Sequence, residues 1–166
     1  PERDVGLTAG SSSFHLRTLP ADDFPAPPSP EGEPVELPAD ALQATVARVA
    51  RAASRDEARP VLTGVLVTVG GSELTMVATD SYRLAVKRTE LSSPVPERIE
   101  ANVPARALRE LARLIEAAPK DPVRVWLLRN QALFGVGRAS LSSRLIDGQF
   151  PDYHQLLPDS FEHEVK

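Results

Sequence analysis

Arginines recur at helical spacing in two segments of this 166-residue chain. The members of each triplet stand at i, i+3 and i+7, which aligns their side chains along one face of a helix: Arg48, Arg51 and Arg55, then Arg106, Arg109 and Arg113. Guanidinium forks suit phosphate oxygens, so both faces are candidate contacts to a nucleic-acid backbone, followed without reading its sequence. The alternative is that both are ordinary solvated faces of amphipathic helices.

Residues for catalysis or metal binding are not grouped in any known pattern. The chain has no glycine-rich phosphate loop and no Gly-Xaa-Ser-Xaa-Gly motif. Its histidines lie in extended or terminal segments without metal-ligand spacing: His15, His154 and His163. Three aspartates at strand ends or turns are expected to cap local N–H groups: Asp80, Asp147 and Asp152. We therefore predict a protein that is not an enzyme and uses no cofactor or metal.

The composition is that of an ordinary globular protein. The net charge of −4 argues against a strongly basic nucleic-acid binder, although a total can hide a local stripe. The absence of cysteine excludes disulfides and thiolate metal sites and fits a cytoplasmic protein. No apolar run approaches the roughly 18 residues that a membrane span needs, so we expect no membrane partner.

Two amphipathic helices must position the arginines. A helix over 39–54 places Leu42, Val46, Val49 and Ala53 on its inner face, opposite Arg48 and Arg51, and Arg55 joins them if the helix runs one residue further. A helix over 104–118 has the same arrangement, with these inner residues: Leu108, Leu111, Ile115 and Ala118.

Both helices occur in the same local context, which indicates an internal duplication. Each begins at a Pro-Ala-Xaa-Ala-Leu segment, after a short strand, and we expect the proline in the first helical turn. The strands predicted after the helices are 61–69, 74–79 and 82–88 in the first copy and 123–128, 132–136 and 140–146 in the second. Turns are expected at Gly70-Gly71, at Arg129-Asn130 and around Gly137.

The result is an α+β chain with a strand–helix–three-strand unit used twice about a pseudo-two-fold axis. Strands 61–69 and 123–128 are apolar on both faces, which predicts cover on both sides.

The flanks of this duplicated unit differ from it. Residues 11–19 read as one strand with no partner of its own, which we assign, with the rest of 1–19, to the end of a preceding domain. Six prolines in 20–34 predict a semi-rigid linker. The complete domain then spans 35–158, and 159–166 resemble the start of another.

Three ordered motifs identify a family. Residues 59–66 (RPVLTGVL), 77–86 (VATDSYRLAV) and 143–153 (SRLIDGQFPDY) resemble the middle domain of the bacterial DNA polymerase III beta subunit, the sliding clamp. Residues 14–25 resemble the exit from its first domain, and residues from about 160 the opening strand of its third. The resemblance covers nearly the whole chain but only the central part of a three-domain subunit.

The resemblance implies a DNA clamp fold with helices inside and sheets outside. In the family, two subunits close a ring around duplex DNA, so the full-length protein would be a homodimer, associated with the nucleoid in the cytoplasm. The implied partners are double-stranded DNA, the polymerase III catalytic subunit, the clamp loader, repair polymerases and mismatch-repair proteins. Without the flanking domains, this chain is expected to be a monomer.

The family also carries a pocket for a short peptide motif of its partners. Carried over by motif, its wall in this chain comprises nine residues: Leu62, Thr79, Ser81, Tyr82, Arg83, Leu84, Pro151, Gln155 and Leu156. Leu62, Leu84, Pro151 and Leu156 would form its apolar floor, and Thr79 and Arg83 its polar edges. The family commonly has Gly-His at Ser81-Tyr82 and a basic residue at Gln155, which places motif preference in doubt.

Two other functions remain open from the residues alone. A peptide- or protein-docking module of the same fold would share the pocket without encircling DNA, and the nine residues would otherwise be core residues beside two turns. An enzyme with an unrecognised site would show a cleft with strongly perturbed carboxylates.

Overall fold

The N-terminal segment forms a hairpin. The computed structural model describes residues 4–24, 28–30 and 32–157, and β1 (Asp4–Ala9) pairs antiparallel with β2 (Ser12–Arg17). The prediction that residues 11–19 lack a strand partner is therefore wrong. The missed signal is the alternation of Val5 and Leu7 before the turn at Gly10-Ser11. Cross-strand pairing places four apolar side chains on one face, and they are 45% to 59% exposed: Val5, Leu7, Phe14 and Leu16.

Each helix begins directly after a proline that follows or ends a strand. Strand β3 (Val35–Leu37) leads through Pro38 into α1 (Ala39–Val49), and α2 (Ala105–Ala117) follows Pro104. Both prolines have an extended ψ of 128° and lie at the cap position, outside the first helical turn where they were predicted. A proline suits this position because the residue before a helix has extended backbone geometry.

The first helix is shorter than predicted. After Val49 the chain tightens into a 3₁₀ helix, Ala50–Ala52, and Arg55 lies beyond it in an irregular segment. The predicted inner faces are confirmed: the buried residues of the two helices include Leu42, Val46, Val49, Leu108, Leu111 and Ile115.

Three strands follow α2 as predicted. They are β6 (Val123–Leu127), β7 (Gln131–Val136) and β8 (Ala139–Arg144), joined by turns at Arg129-Asn130 and Gly137-Arg138. With β3 they form a four-stranded antiparallel sheet in the order β3-β6-β7-β8. The expectation that β6 is covered on both faces is wrong, because the Arg124 side chain is exposed and only Val123 is fully buried.

The strands after α1 are longer than predicted. Strand β4 (Gly64–Thr79) pairs with β5 (Leu84–Pro104) in two stretches, 64–69 with 99–104 and 73–79 with 84–90. Strand assignment continues through Gly70-Gly71, where the register shifts, and the stretches on either side pair with β5 and not with each other. The prediction of a hairpin turn at Gly70-Gly71 between strands 61–69 and 74–79 is therefore wrong. Val69 and Met76 nevertheless line the same internal cavity, although a straight strand would separate them by about 23 Å. The chain therefore bends at the two glycines, where φ of Gly71 is +56°.

Strand exchange between the two copies completes the fold. Strand β3, before α1, pairs with β6, after α2; the end of β5, before α2, pairs with the start of β4, after α1. This reciprocity confirms the predicted duplication and the α+β class. Buried side chains of both helices and both sheets form one continuous cluster. None of the described helices is long and apolar enough to span a membrane.

Candidate functional site

The six arginines of the two triplets are all exposed. We call them the arginine surface: Arg48, Arg51, Arg55, Arg106, Arg109 and Arg113. Each helix buries its apolar side against the sheets, so the opposite side carries the guanidinium groups into solvent. The predicted stripe on α1 bends after Val49, since Arg51 lies in the 3₁₀ helix and Arg55 beyond it.

Two contacts show that the helices run antiparallel side by side. Nη1 of Arg109, near the start of α2, donates to the Ala50 carbonyl oxygen at 3.3 Å, just past the end of α1. At the other end, Nε2 of Gln43 donates to Oε1 of Glu116 at 3.4 Å. The two arginine triplets, carried by α1 with the segment that follows it and by α2, therefore lie side by side and form one surface.

An acidic side chain modifies this surface. Oε2 of Glu110 lies 2.9 Å from Nη1 of Arg113. This exposed ion pair partly neutralises one arginine. Arg51 donates through Nε to the Ala47 carbonyl oxygen at 2.9 Å and keeps its charge unpaired within the described residues.

The turn that links β4 to β5 is held by its own hydrogen bonds. Oδ1 of Asp80 accepts from the backbone N–H groups of Tyr82 at 3.0 Å and Arg83 at 3.1 Å, and Oδ2 pairs with Nε of Arg83 at 3.0 Å. The hydroxyl of Thr79 donates to the Arg83 carbonyl oxygen at 2.8 Å. The contacts of Asp80 lower its pKa, and the hydrogen bond from the Tyr82 N–H contributes most. This confirms the turn-capping role predicted for Asp80.

The apex of this turn has an unusual backbone. Ser81 has φ of +78°, a left-handed conformation that favours glycine. Its backbone N–H donates to Oγ1 of Thr79 at 3.1 Å, and its hydroxyl accepts from Nη1 of Arg59 at 3.1 Å. The next residue, Tyr82, is 95% exposed. The turn thus holds an aromatic side chain in solvent on a well-braced backbone.

Arg59 is a neighbour of the turn that sequence reasoning missed. Its Nε pairs with Oδ2 of Asp56 at 3.0 Å, which places its other nitrogens at Ser81. The pKa of Asp56 is lowered by the backbone N–H of Ala58 and then by Arg59. Arg59 was quoted within a motif, but nothing in its sequence spacing indicates contact with a turn 22 residues away.

Leu62 connects the turn to the C-terminal segment. It lies in a 3₁₀ helix, Pro60–Thr63, is 8% exposed, and its carbonyl oxygen accepts from the Ser54 N–H at 2.8 Å. The adjacent Val61 lies against Gly148, where an added Cβ would stand 2.9 Å from Val61 Cγ2. The segment leading to Pro151 therefore runs beside the 3₁₀ helix that carries Leu62.

The remaining predicted pocket residues are spread over the surface. Pro151 is exposed and lines a depression with Ile146 and Gly148. Gln155 donates through Nε2 to Oδ2 of Asp152 at 3.0 Å, and Leu156 is 58% exposed. The described contacts join Thr79, Ser81, Arg83 and the Leu62 segment, whereas they do not bring Gln155 or Leu156 to them. Leu62 is buried and Leu84 is half-buried, whereas Pro151 and Leu156 are exposed. The described residues alone therefore do not form a continuous apolar floor.

The described residues contain no group of three or more His, Asp or Glu side chains able to hold a metal ion. The aspartates that show a shifted pKa, Asp56 and Asp80, are shifted downward, which is the opposite of a carboxyl group prepared to donate a proton. Asp152 caps a 3₁₀ helix through the His154 N–H at 3.1 Å, as predicted.

Residues 36–152 match the family model for the DNA polymerase III beta subunit, central domain. The chain belongs to this family. It is 36% identical to the beta sliding clamp of Synechocystis over 184 residues, covering 99% of this chain and 47% of the relative. A beta sliding clamp of Staphylococcus aureus is 36% identical over 157 residues, covering 94% and 41%.

Solved structures of the family share the fold. The DNA polymerase III subunit beta of Pseudomonas aeruginosa superposes with a TM-score of 0.82 at 33% identity, over 96% of this chain and 44% of that one. The polymerase sliding clamp of Bacillus subtilis gives 0.83 at 32%, over 95% and 41%. The chain thus spans less than half the length of these relatives.

Proposed function

We propose that this chain is the central part of a sliding clamp, a processivity factor that encircles duplex DNA and tethers polymerases and repair proteins. The observation that carries the proposal is the pair of antiparallel helices whose exposed arginines form one surface, in a chain of this family. The arginine surface would face the DNA. Catalysis would reside in the partner proteins, in the cytoplasm.

Non-specific phosphate contacts suit such a role. A clamp must slide, so a few salt-screened contacts to the backbone serve it better than base readout. The net charge of −4 is compatible with this, because six of the 19 arginines and lysines lie together on the arginine surface.

The partner-peptide pocket is proposed at the β4–β5 turn and the Leu62 segment, with Pro151, Gln155 and Leu156 at its far side. The braced turn supports this proposal, since a rigid backbone with an exposed tyrosine can receive a ligand without a large ordering cost. The partners would be the polymerase III catalytic subunit, the clamp loader, repair polymerases and mismatch-repair proteins. One P. aeruginosa relative, 32% identical with a TM-score of 0.83, is solved bound to griselimycin, which offers a probe.

The domain boundaries follow from the same proposal. The exposed apolar face of the β1–β2 hairpin supports assigning residues 1–19 to a preceding domain that would cover it. The linker proposed over 20–34 contacts the four-stranded sheet, because Nε1 of Trp126 in β6 donates to the Gly32 carbonyl oxygen at 3.0 Å. The middle domain would span 35–158, and 159–166, outside the described residues, would begin the third.

The ring would be a homodimer of the full-length protein. Since the domains that meet in such a ring lie outside this chain, we expect the chain alone to be a monomer. Sedimentation over a range of concentrations tests this expectation, and a dimer that persists on dilution would contradict it.

Charge reversal on both helices tests the DNA-facing surface. Arg48→Glu with Arg109→Glu in the full-length protein should weaken retention on DNA with little change in melting temperature, because both side chains are exposed and the variant removes one hydrogen bond, from Arg109 to the Ala50 carbonyl oxygen. Arg129→Glu with Arg138→Glu is the matched reversal, because both arginines are exposed in turns of the four-stranded sheet, outside both helices. Unchanged retention in the helix variant, or equal loss in both, would remove the assignment of this surface.

A further inference from the structure

Three arginines of the arginine surface stand around one depression. Its volume is about 310 Å³, and its walls include Arg55, Arg106 and Arg109 together with the hydroxyl-bearing Ser54 and Thr63. We call this depression the arginine notch. The other three arginines of the surface, Arg48, Arg51 and Arg113, are not among its lining residues.

The notch is assembled from separate segments that are firmly joined. The Ser54 N–H donates to the Leu62 carbonyl oxygen at 2.8 Å, which fixes the segment that carries Arg55. Pro104, directly before α2, is paired with Gly64 at the end of the sheet, which fixes the helix that carries Arg106 and Arg109. The backbone segments that carry the three arginines are therefore held in place beside the depression, and the Arg109 side chain is further held by its hydrogen bond to the Ala50 carbonyl oxygen.

The charge in the notch is unbalanced. Glu57 is the single acidic residue among its lining residues, against three arginines. No salt bridge within the described residues involves Arg55, Arg106 or Arg109, whereas Arg113 is paired with Glu110. Arg109 uses one N–H on the Ala50 carbonyl oxygen and retains others. Neighbouring like charges repel, and an anion with several acceptor oxygens relieves that repulsion.

We infer that the arginine notch seats a single phosphate group of the nucleic-acid backbone, shared by all three arginines. The inference rests on the proposed function and goes beyond it, because it assigns different contacts with DNA to the two halves of the arginine surface. Three act together on one phosphodiester, and the other three make separate, weaker contacts. A tetrahedral anion fits this lining, since guanidinium forks and the Ser54 hydroxyl donate to phosphate oxygens, whereas the Thr63 hydroxyl already donates to the Pro60 carbonyl oxygen at 2.7 Å.

The salt dependence of duplex binding distinguishes shared from separate contacts. Each phosphate neutralised contributes about 0.9 to the slope of log Kobs against log salt. The triple variant R55A/R106A/R109A should therefore lower the slope by about 0.9, whereas three independent contacts would lower it by about 2.7. Each single notch variant should already lose most of the affinity that the triple variant loses. The control series R48A, R51A and R113A should give additive losses.

Inorganic phosphate separates a backbone site from a free-anion site. In NMR spectra of the chain, Nε–Hε signals of Arg55, Arg106 and Arg109 should shift together on adding phosphate, but not chloride at matched ionic strength, and the same signals should shift with a short DNA duplex. The inference would be overturned if these signals shifted with phosphate but not with the duplex, or if they did not shift with phosphate.

The variants also separate this inference from the proposed function. Equal, additive effects of all six arginines would overturn the notch and leave the DNA-facing surface standing. If none of the six affected duplex binding, both would fall. Thermal melts of each variant establish that the losses are not caused by unfolding.

Discussion

At the scale of single residues, the β4–β5 turn shows how side chains fix the backbone of an exposed turn. Asp80 accepts from the Tyr82 and Arg83 N–H groups, and Ser81 holds a left-handed backbone that Arg59 braces from another segment. The family commonly has glycine at the position of Ser81, where this conformation carries no Cβ strain. The serine hydroxyl supplies a contact to Arg59 that glycine would lack.

The turn should keep its structure in mild acid. The pKa of Asp80 is held below its ordinary value of 3.8 by the Tyr82 N–H and by Arg83. A carboxyl group with a lowered folded pKa contributes stability that is present above its unfolded pKa and is lost as pH falls through the folded pKa. The acid transition of the Tyr82 and Arg83 amide signals should therefore have its midpoint below pH 3.8.

The Asp80→Asn variant is the control for this titration. Its side-chain oxygen still accepts from the backbone, but it carries no titrating proton, so the acid transition of these two amides should disappear. A transition centred at or above pH 3.8 in the unmodified chain would show that the hydrogen bonds do not stabilise the carboxylate.

Residue types alone revealed part of this site. Asp80 and Asp152 were predicted as turn caps because aspartate at a strand end offers its carboxylate to nearby N–H groups, and both do so. The pairing of Arg113 with Glu110 has the i,i+3 spacing of a helix-surface ion pair, so the sequence did indicate it. The contact of Arg59 with Ser81 depends on the path of the chain and is not readable from spacing.

At the scale of elements, the reciprocal strand exchange fixes where the helices lie. The end of β5 must pair closely with the start of β4, and Gly64 is where they come nearest. An added Cβ at Gly64 would overlap Oδ1 of Asn102 and stand 2.8 Å from Ile146 Cδ1. Asn102 is itself held in place by two hydrogen bonds. Its side-chain Nδ2 donates to the Val61 carbonyl oxygen at 2.9 Å, and its backbone carbonyl oxygen accepts from the Ile146 N–H at 2.8 Å.

Gly64→Ala should consequently destabilise the chain by about 1–3 kcal/mol, the usual range for forcing extra volume into a packed site. Gly6→Ala is the control: Gly6 also lies in a strand, β1, but a Cβ there meets nothing within 4 Å, and the stability of this variant should be unchanged or slightly raised. Chemical denaturation of both variants measures the difference. Equal stability of the two would show that Asn102 and Ile146 move aside without cost.

Periodicity predicted the elements better than their pairing. The 3.6-residue period gave both helices and their inner faces, and the short alternating runs gave β6, β7 and β8. Strand exchange between copies escaped prediction because it joins residues far apart in sequence, such as Val35 with Val125. The bend at Gly70-Gly71 was indicated by the glycines, but the ladder with β5 that continues past it was not.

At the scale of the whole molecule, charge is distributed unevenly. The chain is acidic in total, yet α1, the segment after it and α2 present six exposed arginines side by side, and three of them surround the arginine notch. The total charge could not show this, whereas helical spacing indicated it. An uneven distribution of this kind is compatible with the proposed contact to DNA through one surface.

The central claim is that the full-length protein containing this chain holds DNA by enclosing it. The most direct test loads that protein with its clamp loader on nicked circular DNA, linearises half of the sample, and measures how much protein stays bound to each half. We predict retention on the circles and loss from the linear molecules, because a ring slides off a free end. Equal retention on both would indicate ordinary affinity for DNA and would contradict the account.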